Sequence, residues 1–510
     1  MKKQTFVRIL AMLLLTVMVL AVFCGCKKNK EDAVDGSSDL SVSTNDDAQS
    51  ETETLRLDKN GYLMDDLPED LSYPGQEITV LGWDDAACEE FDIKELGDDE
   101  VENAIYFRDQ MIQARLGVTL KYTLTPGSVK KIQEYKQKVQ NAYLGNEPYD
   151  ITASYTRSIA ICASANFLQD LSSIPGQNYL DLEKPWWSSD VVEKTSTNKG
   201  KYYFVTGDAS TNLVQMIYCV YFNADIVNNT QGMESPYDLV ANNQWTIEKL
   251  LTMSKGFYKD NGKTGKDLDD NYGLLAYYFD WPALLHGCGI NYMTKDAAGD
   301  FILDPAIKSQ KTIDLMDEFQ SFVNSDSFVC DADKGTYPLN NFKKGLSTFI
   351  ITHSGTGIMS LKDLETFNVG VVPCPKYDTT QENYYSTVRQ PVTFFGIMNN
   401  VHDDRLSMLS AVLECWGSEA YRGTTPIIFE TNMKYKGTTD PRIPEMLQLI
   451  KDTAYFDCAR IYADETEYLV DRPGRYLESK SEWANYIAND LKRIETQRIP
   501  LLSTQLNSGK

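Results

Sequence analysis

The chain has 510 residues, more than one compact core accommodates, so two folded bodies are expected. A hydrophobic content of 42% excludes a wholly disordered chain, and a mean hydropathy of -0.37 excludes a multi-span membrane protein. The 73 acidic and 49 basic residues give a net charge of -24, which repels phosphate backbones and argues against a nucleic-acid partner.

In chain order, Lys2, Lys3 and Arg8 precede an apolar run from Ile9 to Phe23. This is the layout of a secretory signal, and the run is short for a bilayer span of about 20 residues. Its end, Phe23-Cys24-Gly25-Cys26, resembles a bacterial lipobox. That resemblance implies cleavage after Gly25 and a lipid on Cys26; an uncleaved anchor helix is the alternative. Either way the remainder lies outside the cytoplasm, tethered to a membrane. Residues 1–25 are thus read as a lipoprotein signal peptide. Residues 26–75 are polar and acidic, and read as a disordered tether.

Ile78 to Leu81 is a short apolar run ended by Gly82, a strand candidate. Val101, Ala104, Ile105, Arg108 and Ile112 trace a helical face that Gly117 stops. A strand over 118–124, a helix over 129–144 and a strand over 150–153 follow. Alternating strands and helices imply a parallel α/β sheet. Thr246 caps a further helix, and helical faces recur over 309–324, 408–416, 443–450 and 483–494. Strands are expected at 347–351, 369–372 and 393–398.

His286, His353 and His402 lie far apart, so no metal site is expected. Cysteines 88, 162, 219, 288, 330, 374, 415 and 458 are spread evenly with no CxxC, and read as free, buried thiols. Gly256 to Thr264 ends in Gly-Lys-Thr, but five residues separate its glycines where a P-loop has four. His353-Ser354 forms no nucleophile elbow. No cofactor is expected.

The order of elements resembles the bacterial extracellular solute-binding proteins of family 1, the maltose-binding-like receptors of ABC importers. The residues that carry this are Arg115-Leu116-Gly117-Val118-Thr119-Leu120, Tyr149-Asp150-Ile151 with Leu168-Gln169-Asp170-Leu171, and Tyr221-Phe222-Asn223-Ala224-Asp225. Gln244-Trp245-Thr246-Ile247-Glu248, Phe342 to Ser347 and Asn368 to Pro375 continue the series. Each motif is loose alone; their shared order over some four hundred residues is specific. The resemblance implies an α/β, two-lobe periplasmic-binding-protein-like fold (type II), each lobe a mostly parallel sheet flanked by helices, with the ligand cleft between. It implies a first lobe of 76–208 and 392–430 and a second of 209–391 and 431–510. It implies no covalent chemistry. It implies as partners a small solute, most readily a sugar, and the transmembrane subunits of an ABC permease, with the lipobox resemblance adding membrane lipid through Cys26. A surface glycan-binding lipoprotein without transport and an exported glycan-acting enzyme are the alternatives.

Sugar recognition needs flat apolar faces and a few fixed polar groups. Ala276 to Pro282 resembles the family's maltose-binding segment, which implies that Tyr278 stacks on sugar, with Trp281 structural or lining. Trp83 and Asp84 follow the first strand, and Tyr155 and Arg157 follow the third. Ligands bind beyond the carboxyl ends of parallel strands, so these four are cleft candidates. The resemblance adds Asp208 at the first crossing, His353 after a strand, and Tyr462 in a late aromatic segment. Arg389-Gln390-Pro391 precedes the return strand, near the hinge. Core packing, a solvated loop or a hinge contact is the alternative for each.

Overall fold

In a computed structural model, the structure describes residues 56–86, 89–145, 149–262, 269–329, 337–436, 440–479 and 482–509. Residues from Arg56 onward form one compact unit. It is built on two principal sheets.

The first sheet begins with β1 (Glu77–Trp83), whose Ile78, Val80 and Leu81 are buried. Helix α1 (Glu100–Leu116) starts at Asp99, whose carboxylate accepts from the N–H groups of Val101 and Glu102. It ends at Gly117, where φ is 66°, the left-handed conformation glycine adopts without a Cβ clash. Then come β2 (Thr119–Thr125), α2 (Ile132–Leu144), β3 (Ile151–Tyr155) and α3 (Thr156–Ser164). Strand β1 pairs in parallel with β2 and β3.

The second sheet starts at β4 (Tyr218–Asn223), fully buried. Helix α4 (Ile247–Ser254) is capped by Thr246, whose hydroxyl accepts from Lys249 N–H. After β5 (Tyr272–Leu275) come the hairpin strands β6 (Met293–Lys295) and β7 (Phe301–Leu303), helix α5 (Gln310–Val323), β8 (Phe328–Val329), β9 (Ser347–His353) and β10 (Val369–Pro373). The strand order is β10-β4-β9-β5-β8. Strand β5 is parallel to β8 and β9, but β4 is antiparallel to β9 and β10. The second sheet is therefore more mixed than strand–helix alternation alone implies.

The chain then forms the short strand β11 (Ser386–Thr387) and returns to the first sheet. Strand β12 (Thr393–Ile397) lies antiparallel to β3 and completes the order β12-β3-β1-β2. Helix α6 (Asp403–Glu419) packs there, with Met408, Val412, Cys415 and Trp416 buried. Helices α7 (Ile443–Asp452), α8 (Cys458–Ile461) and α9 (Arg472–Ser479) follow.

The polar stretch before residue 75 departs from the expected tether. From Arg56 onward it is folded: Leu67 is buried, and Tyr73 N–H donates to the Leu116 carbonyl at 2.7 Å. Asp65, with no exposure, accepts from Arg115 Nη1 at 2.6 Å. A few apolar residues plus one buried ion pair dock a segment whose average composition is polar. The expected signal peptide, Cys26 and the tether over 26–55 lie outside the described residues.

Cysteines 162, 219, 288, 374, 415 and 458 are free and buried; Cys88 and Cys330 lie outside the described residues. Burial pushes the Cys374 thiol up to about 12 and the others further. Thiolate is the reactive form. Labelling with a thiol reagent, mapped by peptide mass spectrometry, should therefore leave these six unmodified in the native protein and modify them once it is unfolded in denaturant.

Candidate functional site

Two chain segments cross between the sheets side by side. Val205 and Phe395 exchange both backbone hydrogen bonds at 2.9 Å, and Ile217 bridges Val388, each pair antiparallel. Glu90, buried in the loop after β1, knots this crossing together. It accepts from Ser210 Oγ at 3.1 Å on one segment, from Thr393 Oγ1 on the other, and from Trp83 Nε1 at 3.1 Å. No sequence motif marks Glu90; only the meeting of distant segments does.

Beside the crossing lies a cavity of about 440 Å³. Tyr155 ends β3 and Arg157 sits in the first turn of α3, so the first sheet presents both at its carboxyl edge. From the second sheet come Tyr218, which opens β4, and Tyr277, Tyr278 and Phe279 just beyond β5. Arg389, Gln390 and Pro391 line it from the crossing, Arg460 from α8, and Asp471, Arg475 and Glu478 from the start and length of α9. Gly474 permits this packing: a Cβ there would lie 2.1 Å from the Tyr278 carbonyl oxygen.

The rings of Tyr277 and Phe279 stack with centroids 4.9 Å apart and planes 8° apart. Phe279 is 47% exposed, an open aromatic face at a cavity mouth. Behind it, Tyr218 donates its hydroxyl to Asp280 Oδ1 at 3.1 Å, and Tyr277 N–H donates to Oδ2 at 3.1 Å. Burial pushes the Asp280 carboxyl up to about 6, opposed by Arg389 and these two donors. The guanidinium groups of Arg389 and Arg460 stand 5.5 and 5.6 Å from the Tyr218 ring centroid. Arg157 donates through Nε to Asp464 at 2.7 Å and lies over the Tyr468 ring. Gln390 links the walls, with Tyr155 hydroxyl on its Oε1 at 3.5 Å and its Nε2 donating to the Arg460 carbonyl at 3.0 Å.

Of the residues singled out in the sequence, Tyr155, Arg157, Tyr278 and the Arg389-Gln390-Pro391 stretch line this cavity. Trp83 lies one layer below, its ring 5.9 Å from Tyr155 and its N–H on Thr393 Oγ1 at 2.8 Å. Asp84 is exposed just past β1. Asp208 sits at the crossing, accepts from Thr425 Oγ1 at 2.8 Å, and is pushed by burial up to about 6. Trp281 is fully buried against Phe319 and Phe328. His353 ends β9 with Nδ1 2.9 Å from the Gln215 carbonyl; burial and Arg389 lower it to about 3. Tyr462 is buried between Phe204 and Phe301. Sequence reasoning missed Tyr218, Arg460 and Arg475. Arg460 was within reach, two residues before Tyr462 on the same helical turn, which turns one side chain to the cavity as it buries the other.

Among the described residues, no cluster of three or more His, Cys, Asp or Glu side chains is placed to hold a metal ion, and no helix is long and apolar enough to cross a membrane. No protein-family model and no curated protein matches the chain significantly. Solved structures do match. An ABC substrate-binding protein of Listeria monocytogenes in complex with cycloalternan is 14% identical with a TM-score of 0.52, over 82% of this chain and 98% of that one. A cyclo/maltodextrin-binding protein complexed with maltotetraose is 14% identical with a TM-score of 0.52, over 86% and 99%. The GacH receptor of Streptomyces glaucescens, solved unliganded and with acarbose, is 17% identical with a TM-score of 0.50, over 85% and 100%. At such identities the likeness is one of fold. This chain has the two-lobe α/β fold of the ABC-importer solute-binding proteins.

Proposed function

We propose that the protein is the extracytoplasmic receptor of an ABC importer, that it captures a carbohydrate between its lobes, and that it delivers it to the permease. The observation that carries this reading is the cavity beside the crossing strands, with a stacked aromatic face on one wall and fixed polar groups on the others. Flat apolar faces suit the C–H faces of sugar rings, and sparse polar groups suit hydroxyls. That structural neighbours bind cycloalternan, maltotetraose and acarbose supports the same class.

The lobes proposed are residues 56–208 with 392–430, and 209–391 with 431–510. The first is extended to Arg56 because Asp65 and Tyr73 dock on α1. Closure about the strands at 205–217 and 388–395 would bring the walls onto the solute, as hinge motions place their change in a few backbone positions. Lipidated Cys26 would hold the receptor at the outer face of the membrane. A thermal-shift screen of full-length protein against mono- and oligosaccharides tests this. A sugar at a hundredfold excess over its Kd should add about 2.7 kcal/mol of stability. A shift with peptides or polyamines and none with any sugar would sink the carbohydrate reading.

A further inference from the structure

The cavity lining carries four guanidinium groups, Arg157, Arg389, Arg460 and Arg475, against the carboxylates of Asp471 and Glu478. This positive surplus occurs in a chain of net charge -24. Arg157 is already paired with Asp464. Among the described residues, neither Arg389 nor Arg460 forms an ion pair with any carboxylate within 4 Å; the nearby Asp280 has both oxygens engaged by Tyr218 and Tyr277. Arg460 is only 4% exposed, and its Nε and Nη2 have no hydrogen-bond partner. A buried cation with two unmet donors is costly to keep. The planar guanidinium fork matches a carboxylate with two parallel hydrogen bonds.

We infer that the solute is an acidic saccharide, a uronate-containing oligosaccharide whose carboxylate is received by Arg460 and Arg389. This rests on the carbohydrate-receptor reading above and narrows it. The sugar ring lies on the Tyr277–Phe279 face, and its carboxylate reaches inward past Tyr218 to the two arginines. Asp471, just ahead of α9, and Glu478 on it face the same space and disfavour an anionic group on that side.

Calorimetric titration of the full-length protein with trigalacturonate and with maltotriose, trisaccharides that differ in charge, tests the assignment. Trigalacturonate is expected to bind at least about tenfold more tightly, with an affinity that falls as salt is added. Arg460→Met is expected to weaken it by about a hundredfold, and Arg460→Lys, which keeps the charge and loses the fork, by about tenfold. Should Arg460→Met fail to fold, the wild-type comparison of the two trisaccharides and the salt series still decides. Equal or tighter binding of maltotriose would overturn the acidic ligand and leave the carbohydrate receptor standing. Tighter binding of sulfated maltotriose than of trigalacturonate would overturn the carboxylate. Binding of no saccharide would overturn both readings.

Discussion

Asp65→Asn should cost about 3–5 kcal/mol of stability, the range found when one partner of a buried ion pair is removed. The Asp65 side chain has no exposure, Arg115 lies on it through Nη1 at 2.6 Å, and Arg422 stands at 3.9 Å. Neutralising the aspartate leaves Arg115 with Glu419 alone, 3.9 Å away and already held by Arg422 at 2.6 Å. Burial alone would raise this carboxyl, but the Arg115 and Ser418 side chains and the Leu67 N–H outweigh it and hold it below 3.8. A lowered carboxyl contributes its stability above the unfolded value and loses it as pH falls through the folded one. Denaturant melts at pH 7 and in steps below pH 4 should show the gap between wild type and variant closing with acid. A gap that stays constant with pH, or an absent one at pH 7, would show that the pair does not hold the 56–75 segment.

Glu414→Gln should act in the opposite sense. Glu414, on α6, is 1% exposed. Its Oε2 accepts from Trp187 Nε1 at 2.8 Å and Asp181 N–H at 3.2 Å, while Oε1 has no partner. Burial raises its carboxyl from 4.5 to about 8, with Asp65 adding to the rise. The native state therefore keeps a proton that the unfolded chain gives up near pH 4.5. Between those values the native state binds more protons, so stability falls as pH rises, and the loss is complete above about 8. The span corresponds to an upper bound on the order of 4–5 kcal/mol. Glutamine keeps the acceptor for Trp187 and never ionises. The variant should match wild type near pH 5 and exceed it by a few kcal/mol at pH 9. Parallel stability curves for the two proteins from pH 5 to 9 would mean that Glu414 ionises freely in the fold. Because Asp65 raises Glu414, the two substitutions should not be additive.

Much of the framework is legible in the sequence because apolar periodicity is local. The faces over 101–112 and 408–416, the Gly117 stop and the Thr246 cap all correspond to elements with the same cause. Tyr155 and Arg157 were legible because strand ends of parallel sheets are where ligand cavities form. The polar segment over 56–75 was not, because its docking depends on a few apolar residues and the Asp65–Arg115 pair, which composition averages away. Trp83 and Tyr462 show a second limit. An aromatic beside a cleft and one beneath its floor have the same sequence signature, and only packing separates them. The charged wall was the least legible part. Arg389, Arg460 and Arg475 come from three segments, and their meeting in one cavity, the first two over the ring of Tyr218, exists only once the second sheet is formed.

The pairing of β12 with β3 has a consequence for how the chain reaches its final state. The strand that completes the first sheet arrives more than two hundred residues after its partner. Until then β3, all five of whose residues are buried in the finished protein, is an open edge able to pair with the wrong chain. The first sheet therefore cannot finish before every strand of the second has been synthesised, and closing so large a loop slows the step that does it. If the chain is exported, this order of assembly suits passage through a membrane in an unfolded state, since the first sheet is unable to close on its own as it emerges.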